Sequence, residues 1–225
     1  MIDPPTWLIR ALAFSALTIP VMVATAATAL AGPRRETVSF AHTQRIPLQL
    51  DTVRSRVWFE ADATLGRFTG TARRVRGHAE IVDTADFTRA TGRIEIDPAS
   101  FRTGIGMRDG HLRDELEVSK YPMIVFALAD ASRASDEAVA SIATRAEEPS
   151  GTGVILTGTL TIKDVTRDVG IPARIRFTRD SLYARGRVPI RFTDFEMKPP
   201  TRMLGTTKVR DDLVLQFDAV FAVAR

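Results

Sequence analysis

The side chains able to do acid–base, metal or nucleophilic chemistry are scattered along this chain rather than grouped. His42, His78 and His111 are its three histidines, far apart and without the spacing of metal ligands. Asp109, Asp114 and Glu115 come nearest to a carboxylate pair. Glycosidase-type chemistry needs two carboxyl groups held across a cleft. Asp109 and Asp114 are five residues apart on a short predicted helix and would point in different directions. No serine sits in a G-x-S-x-G setting. Gly104 and Gly106 in TGIG, and Gly66 and Gly70 in LGRFTG, lack the Lys-Ser/Thr and strand–helix context of a phosphate loop and read as turn glycines. The basic run Arg67, Arg73, Arg74, Arg76 is interrupted by Phe68 and Val75, which fits a strand with one solvated face better than a nucleic-acid contact. The chain has no cysteine, hence neither a disulfide nor a lipoprotein anchor. On this inventory the expectation is a protein that is not an enzyme, has no metal site and does not bind nucleic acid.

The elements that would carry a site alternate with period two. Val57, Phe59 and Ala61 alternate with Arg56, Trp58 and Glu60, and Ala79 and Ile81 with His78 and Glu80. Ile94 and Ile96 alternate with Arg93 and Glu95, and Ile124, Phe126 and Leu128 with Val125 and Ala127. The same pattern holds for Val154–Ile162, Val169–Phe177, Val188–Phe192 and Leu213–Phe221. Strict alternation means that one face is buried and the other meets water. About eight such strands without long helices predict an antiparallel sheet closed on itself, which removes aggregation-prone edges. Two segments break the pattern. Gly106–Val118 reads as a short helix with Met107, Leu112 and Leu116 available to one side. Ser132–Gly153, rich in Ala, Ser, Glu and Gly, reads as a long mobile hairpin loop.

Residues 1–31 read as a secretory signal peptide: Ala11–Ala31 carry no charge, Arg10 precedes them, and Ala29-Leu30-Ala31 offers a small-x-small cleavage site. Cleavage near Ala31 would place the mature protein in the periplasm. The competing reading is a transmembrane anchor, disfavoured by the Ala/Thr content and by Pro20. Residues 32–50 read as an irregular lead-in and residues 51–225 as the barrel. The net charge is +4, with only four lysines, Lys120, Lys163, Lys198 and Lys208, among 31 basic residues. The arginines suit phosphate or anionic-lipid contacts, or simply a solvated surface; their spread over many segments favours the surface.

Two stretches carry a resemblance. Thr103–Phe126, TGIGMRDGHLRDELEVSKYPMIVF, contains Arg108, Asp109, His111, Leu112 and Arg113, then Tyr121 and Pro122 before a strand reaching Phe126. Gly158–Val169, GTLTIKDVTRDV, contains Gly158, Leu160, Thr161, Ile162, Val165, Thr166 and Val169. Together they resemble the YceI-like family of secreted lipid-binding barrels, from about Asp51 to the C-terminus. Asp164 departs from that family's pattern, which usually has Gly there. The resemblance implies an all-β, eight-stranded, lipocalin-like antiparallel barrel with one short helix, holding an isoprenoid chain in a tunnel.

The interior of an eight-stranded barrel either packs itself or holds one small ligand. Large inner residues mixed with small ones fit both. The resemblance favours the ligand: a polyisoprenoid or similar apolar lipid, sequestered or transported, with no cofactor beyond a bound isoprenoid lipid or quinone-like molecule. The expected ligand-binding residues are Phe59, Phe68, Ile81, Ile96, Met107, His111, Leu112, Phe126, Leu160, Ile162, Phe177 and Phe217. For His111 two roles stand side by side, a hydrogen bond to a head group at the mouth or packing of the helix on the rim. Transient membrane contact and a homodimer are compatible with this reading. The rival is an exported barrel-fold enzyme or stress factor acting through a protein partner, without lipid cargo.

Overall fold

Alternation along the chain becomes alternation across a closed sheet. The computed structural model describes residues 45–84, 87, 89–140, 142, 151–202 and 207–223, so the leader and residues 32–44 of the lead-in lie outside the described residues. The strands are β1 (Ile46–Leu50), β2 (Arg56–Ala63), β3 (Gly66–Ala72), β4 (Val75–Ile81), β5 (Thr91–Ile96), β6 (Ile124–Arg133), β7 (Thr152–Ile162), β8 (Val165–Phe177), β9 (Ser181–Arg191), β10 (Thr201–Arg202) and β11 (Thr207–Val223). A single α-helix among the described residues, α1 (Gly106–Glu115), lies between β5 and β6. Eight strands form the ring β1-β4-β5-β6-β7-β8-β9-β11, and β1 pairs back onto β11 to close it. The hairpin β2–β3 continues from β11, and β10 also pairs with β11.

Closure is achieved by sharing one edge of β11. Val209–Asp218 pair with β2, whereas Phe221–Val223 pair with β1. β1 and β2 thus behave as one long strand interrupted at residues 51–55. The interruption is held by Asp51 Oδ1, which accepts from the N–H groups of Val53 and Arg54 at 3.0 Å, and by Ser55 Oγ, which accepts from Val220 N–H at 3.0 Å. β3 and β4 form a second interrupted strand. There Ser100 Oγ, buried, accepts from the N–H groups of Arg73 and Arg74 at 3.1 and 3.0 Å. Buried backbone donors need a partner, and these hydroxyls supply it at both corners.

The inner face follows the predicted alternation on β7 and β8: Val154, Leu156, Leu160 and Ile162 are buried, as are Ile171, Ala173 and Ile175. Two features differ from expectation. The lead-in ends in a regular strand, β1, which the ring requires. Its sequence IPLQL was easily passed over because proline rarely sits inside a sheet. Pro47 faces only β4, and the pairing with β11 begins at Leu48. At both ends of the expected loop Ser132–Gly153 the strands continue: β6 runs to Arg133, β7 begins at Thr152, and Val139, 0 % exposed, packs over Gly153. On β6 the register shifts between Leu128 and Asp130. That bulge inverts the facing, so that Ala131 is buried despite lying an odd number of residues from Leu128.

Aromatic rings fill the space over two glycines. A Cβ on Gly70 would lie 2.2 Å from Phe59 Cε1, and one on Gly186 would lie 2.5 Å from Phe217 Cζ. Phe59 cannot retreat, because Phe68 and Phe101 pack edge-on against it with centroids 6.0 and 5.4 Å away. Gly70→Ala should therefore overpack this end of the molecule by about 1–3 kcal/mol. A thermal melt should show a fall of about 5 °C for a domain of this size. An unchanged midpoint would mean that the Phe59 ring is not confined.

Candidate functional site

Small residues paired across neighbouring strands border an open interior. Gly92 pairs with Ala79 across β4–β5, and Ala184 on β9 lies between Ile175 and Ala219. These residues line a cavity of about 170 Å³ inside the barrel. Its wall is almost wholly apolar. That is on the order of ten times the space one water needs, and apolar cavities of this size stay dry and admit apolar ligands.

Six of the sequence-predicted residues line this space: Ile81, Ile96, Phe126, Leu160, Ile162 and Phe217. The other six do not. Phe59 is buried in the ring cluster beside the cavity. Phe68 is half-buried, with one side against Phe59 and the Arg108 guanidinium 4.4 Å from its centroid. Phe177 packs against the core at the end of β8. Leu112 packs against the core from α1 and His111 is half-buried on the same helix, both outside the lining. Met107 is 75 % exposed. At 100° per residue it stands about 140° around the helix from Leu112 and about 180° from Leu116, so the three cannot share a face. Sequence reasoning missed Leu48 and Leu50 on β1 and Leu182 and Ala184 on β9, all of which line the cavity. The alternation in IPLQL would have found the first two. Phe87 and Ala90, in the connection from β4 to β5, carry no periodic signal.

The two sequence motifs meet at one end of the barrel. Tyr121 O–H donates to Asp164 Oδ2 at 2.9 Å, and Lys163 forms an ion pair with Glu117. The β7–β8 turn is thereby tied to the segment that follows α1. The Tyr121 hydroxyl holds the Asp164 carboxyl below its usual range, with Lys120 and Lys163 adding to the effect. Asp164, where glycine was expected, thus has a partner.

Asp109 is the buried carboxylate of the site region, 6 % exposed. It accepts from Thr103 N–H at 2.8 Å and from Thr103 Oγ1 at 2.7 Å. Burial pushes its carboxyl pKa up. The Thr103 hydrogen bonds, with Arg102 and Arg113 nearby, outweigh this and hold it below the usual range. With both interactions directed at the turn before α1, Asp109 anchors the helix. Among the described residues no group of His, Cys, Asp and Glu could hold a metal ion.

Comparison with known proteins adds a decisive match. The model of the YceI-like domain covers residues 48–221. The chain belongs to the YceI-like family. No curated protein matches this YceI-like chain. Among solved structures, BcnA of Burkholderia cenocepacia is similar at 20% identity and a TM-score of 0.61, over 76% of this chain and 98% of that one. A polyisoprenoid binding domain from Saccharophagus degradans is similar at 18% identity and a TM-score of 0.59, over 80% and 99%. A Campylobacter jejuni YceI protein is similar at 21% identity and a TM-score of 0.51, over 69% and 84%. At these identities the likeness is one of fold, and it shares the closed antiparallel barrel.

The anchoring role of Asp109 in this YceI-like barrel has a pH signature. A carboxyl whose pKa is lower folded than unfolded adds stability above the unfolded value, about 3.9, and that contribution fades as pH falls through the folded value. Asp109→Ala leaves the Thr103 N–H without its partner and should lower stability at neutral pH by about 1–3 kcal/mol. Denaturant melts of both proteins should show the wild-type advantage shrinking below about pH 4. An advantage that persists undiminished to about pH 2 would contradict the assignment.

Proposed function

We propose that this YceI-like protein binds an apolar lipid of the polyisoprenoid type in its barrel and sequesters or carries it, without covalent chemistry. The observation that carries the reading is the apolar cavity lined by Gly92, Ala79, Ala184 and Ala219 in a wall otherwise mainly of Ile, Leu, Val and Phe. The name of the Saccharophagus degradans relative, a polyisoprenoid binding domain, supports it. Burial of an isoprenoid tail contributes roughly 25 cal/mol per Å² of apolar surface, enough for tight binding with no reactive group. The tail of a quinone-like molecule would serve equally. Ser55 Oγ, the hydroxyl in the lining, is committed to the Val220 backbone, which supports binding rather than catalysis. The charge-free segment Ala11–Ala31 supports work outside the cytoplasm, in the periplasm, after removal of residues 1–31.

Protein purified without detergent should yield a long-chain isoprenoid on organic extraction, read by mass spectrometry, near one per chain or per dimer. Delipidated protein should melt about 5–10 °C lower, since a ligand at a hundred times its Kd stabilises the folded state by about 2.7 kcal/mol. Ala184→Leu, which places a larger side chain in the cavity, should abolish retention of the lipid while the apo protein melts as high as the wild type. A clean extract, together with no thermal response to added isoprenoids, would sink the proposal.

A further inference from the structure

The arginines that look dispersed in the sequence are gathered by the fold. Strand register aligns Arg174 of β8, Arg185 of β9, Asp218 of β11 and Arg56 of β2 in one row across the outer face. The row on one side carries Arg176 and Tyr183, and the row on the other carries Arg187, Gln216 and Trp58. The turn after β1 adds Asp51 and Arg54. Six arginines face two aspartates here, an excess of four, which equals the net +4 of the whole chain. Arg185 pairs with Asp218, and Arg54 lies 3.9 Å from Asp51.

Three of the six arginines, Arg54, Arg56 and Arg176, contact aromatic rings. Tyr183 contacts two guanidinium groups, with Arg176 at 4.6 Å and Arg54 at 5.4 Å from its centroid, and its hydroxyl accepts from Arg54 Nη2 at 2.5 Å. Arg56 lies 4.7 Å from the Trp58 centroid. A guanidinium over a ring is held in place, and arginine forks match phosphate oxygens. Three strand spacings of about 4.8 Å make the patch about 15 Å wide, broader than one phosphate. Trp and Tyr favour the polar–apolar boundary of a bilayer. Trp58 and Gln216 belong to strands that also wall the cavity, so the patch lies on the outer side of the same sheet.

We propose that the outer face of β8, β9, β11 and β2 docks on an anionic phospholipid bilayer. The preference for a bilayer over other polyanions rests on the lipid-carrying function proposed above. Docking would place the cavity beside the membrane from which an apolar lipid is collected or to which it is returned. Attraction of this kind acts over about a Debye length and weakens with salt.

The test is co-sedimentation with vesicles of phosphatidylcholine alone and with about a third phosphatidylglycerol. The protein should pellet with the anionic vesicles, remain in solution with the neutral ones, and be released by rising salt. Each arginine at an anionic surface is worth about fivefold in binding. Arg54→Gln/Arg56→Gln/Arg187→Gln should therefore weaken vesicle binding about a hundredfold. Arg67→Gln/Arg74→Gln/Arg76→Gln removes the same charge from the β3–β4 side and should weaken it far less. Thermal melts confirm that both variants fold. Equal loss in both, equal binding to neutral vesicles, or binding of heparin without vesicle binding would each overturn the proposal. Lipid extracts of the same samples separate the two hypotheses: a patch variant that keeps its isoprenoid but leaves the vesicles supports docking, whereas a wild type that docks but carries no lipid sinks only the carrier reading.

Discussion

Closure of the sheet is the constraint on which the rest of the molecule depends, and β11 bears most of it. One edge of this strand pairs with β9 from Asp212 to Ala222, while the other is divided between β2 and β1. A strand with both edges occupied exposes no unpaired backbone groups, and a ring of such strands has no edge. The division forces a break in the facing chain, and the break needs donors and acceptors of its own. Asp51 and Ser55 supply them on one strand and Ser100 on the next. These short polar side chains are consequences of the barrel rather than candidates for chemistry.

Within the ring, cavity and core are made from the same materials in different arrangements. Gly70 and Gly186 each receive a phenylalanine ring and contribute no open space. Gly92 and Ala79 face one another, as do Ala184 and Ala219, and both pairs line the cavity. The presence of small residues is therefore uninformative until their partners are known. The difference between a packed barrel and a hollow one lies in cross-strand pairing.

The facing of most strands was legible in the sequence, because period two is a local property and one buried face enforces it. The alternation of β7 and β8 could be assigned residue by residue, whereas on β9 only the half from Arg187 onward was read. The two motifs were legible as well, although their contact through Tyr121–Asp164 and Glu117–Lys163 joins residues 43 and 46 positions apart and carries no local signal. Half of the expected ligand residues reach the cavity. Met107 failed because three apolar residues on a helix of ten need not share a face. Phe59 and Phe68 lie outside the lining because facing inward differs from bordering empty space. The arginine patch was illegible for the opposite reason: its members come from four strands and a turn, and only the register aligns them.

The pairing of Leu48 with Val223 also has a bearing on the order of assembly. A chain made from its N-terminus exposes β1 first and β11 last, and β1 cannot find its edge partner until the final seventeen-residue strand is available. Long-range pairings of this kind slow folding and prolong the exposure of apolar strands. Every intermediate short of the full chain is an open, incompletely paired sheet. The enclosed interior therefore comes into being in the last step of folding.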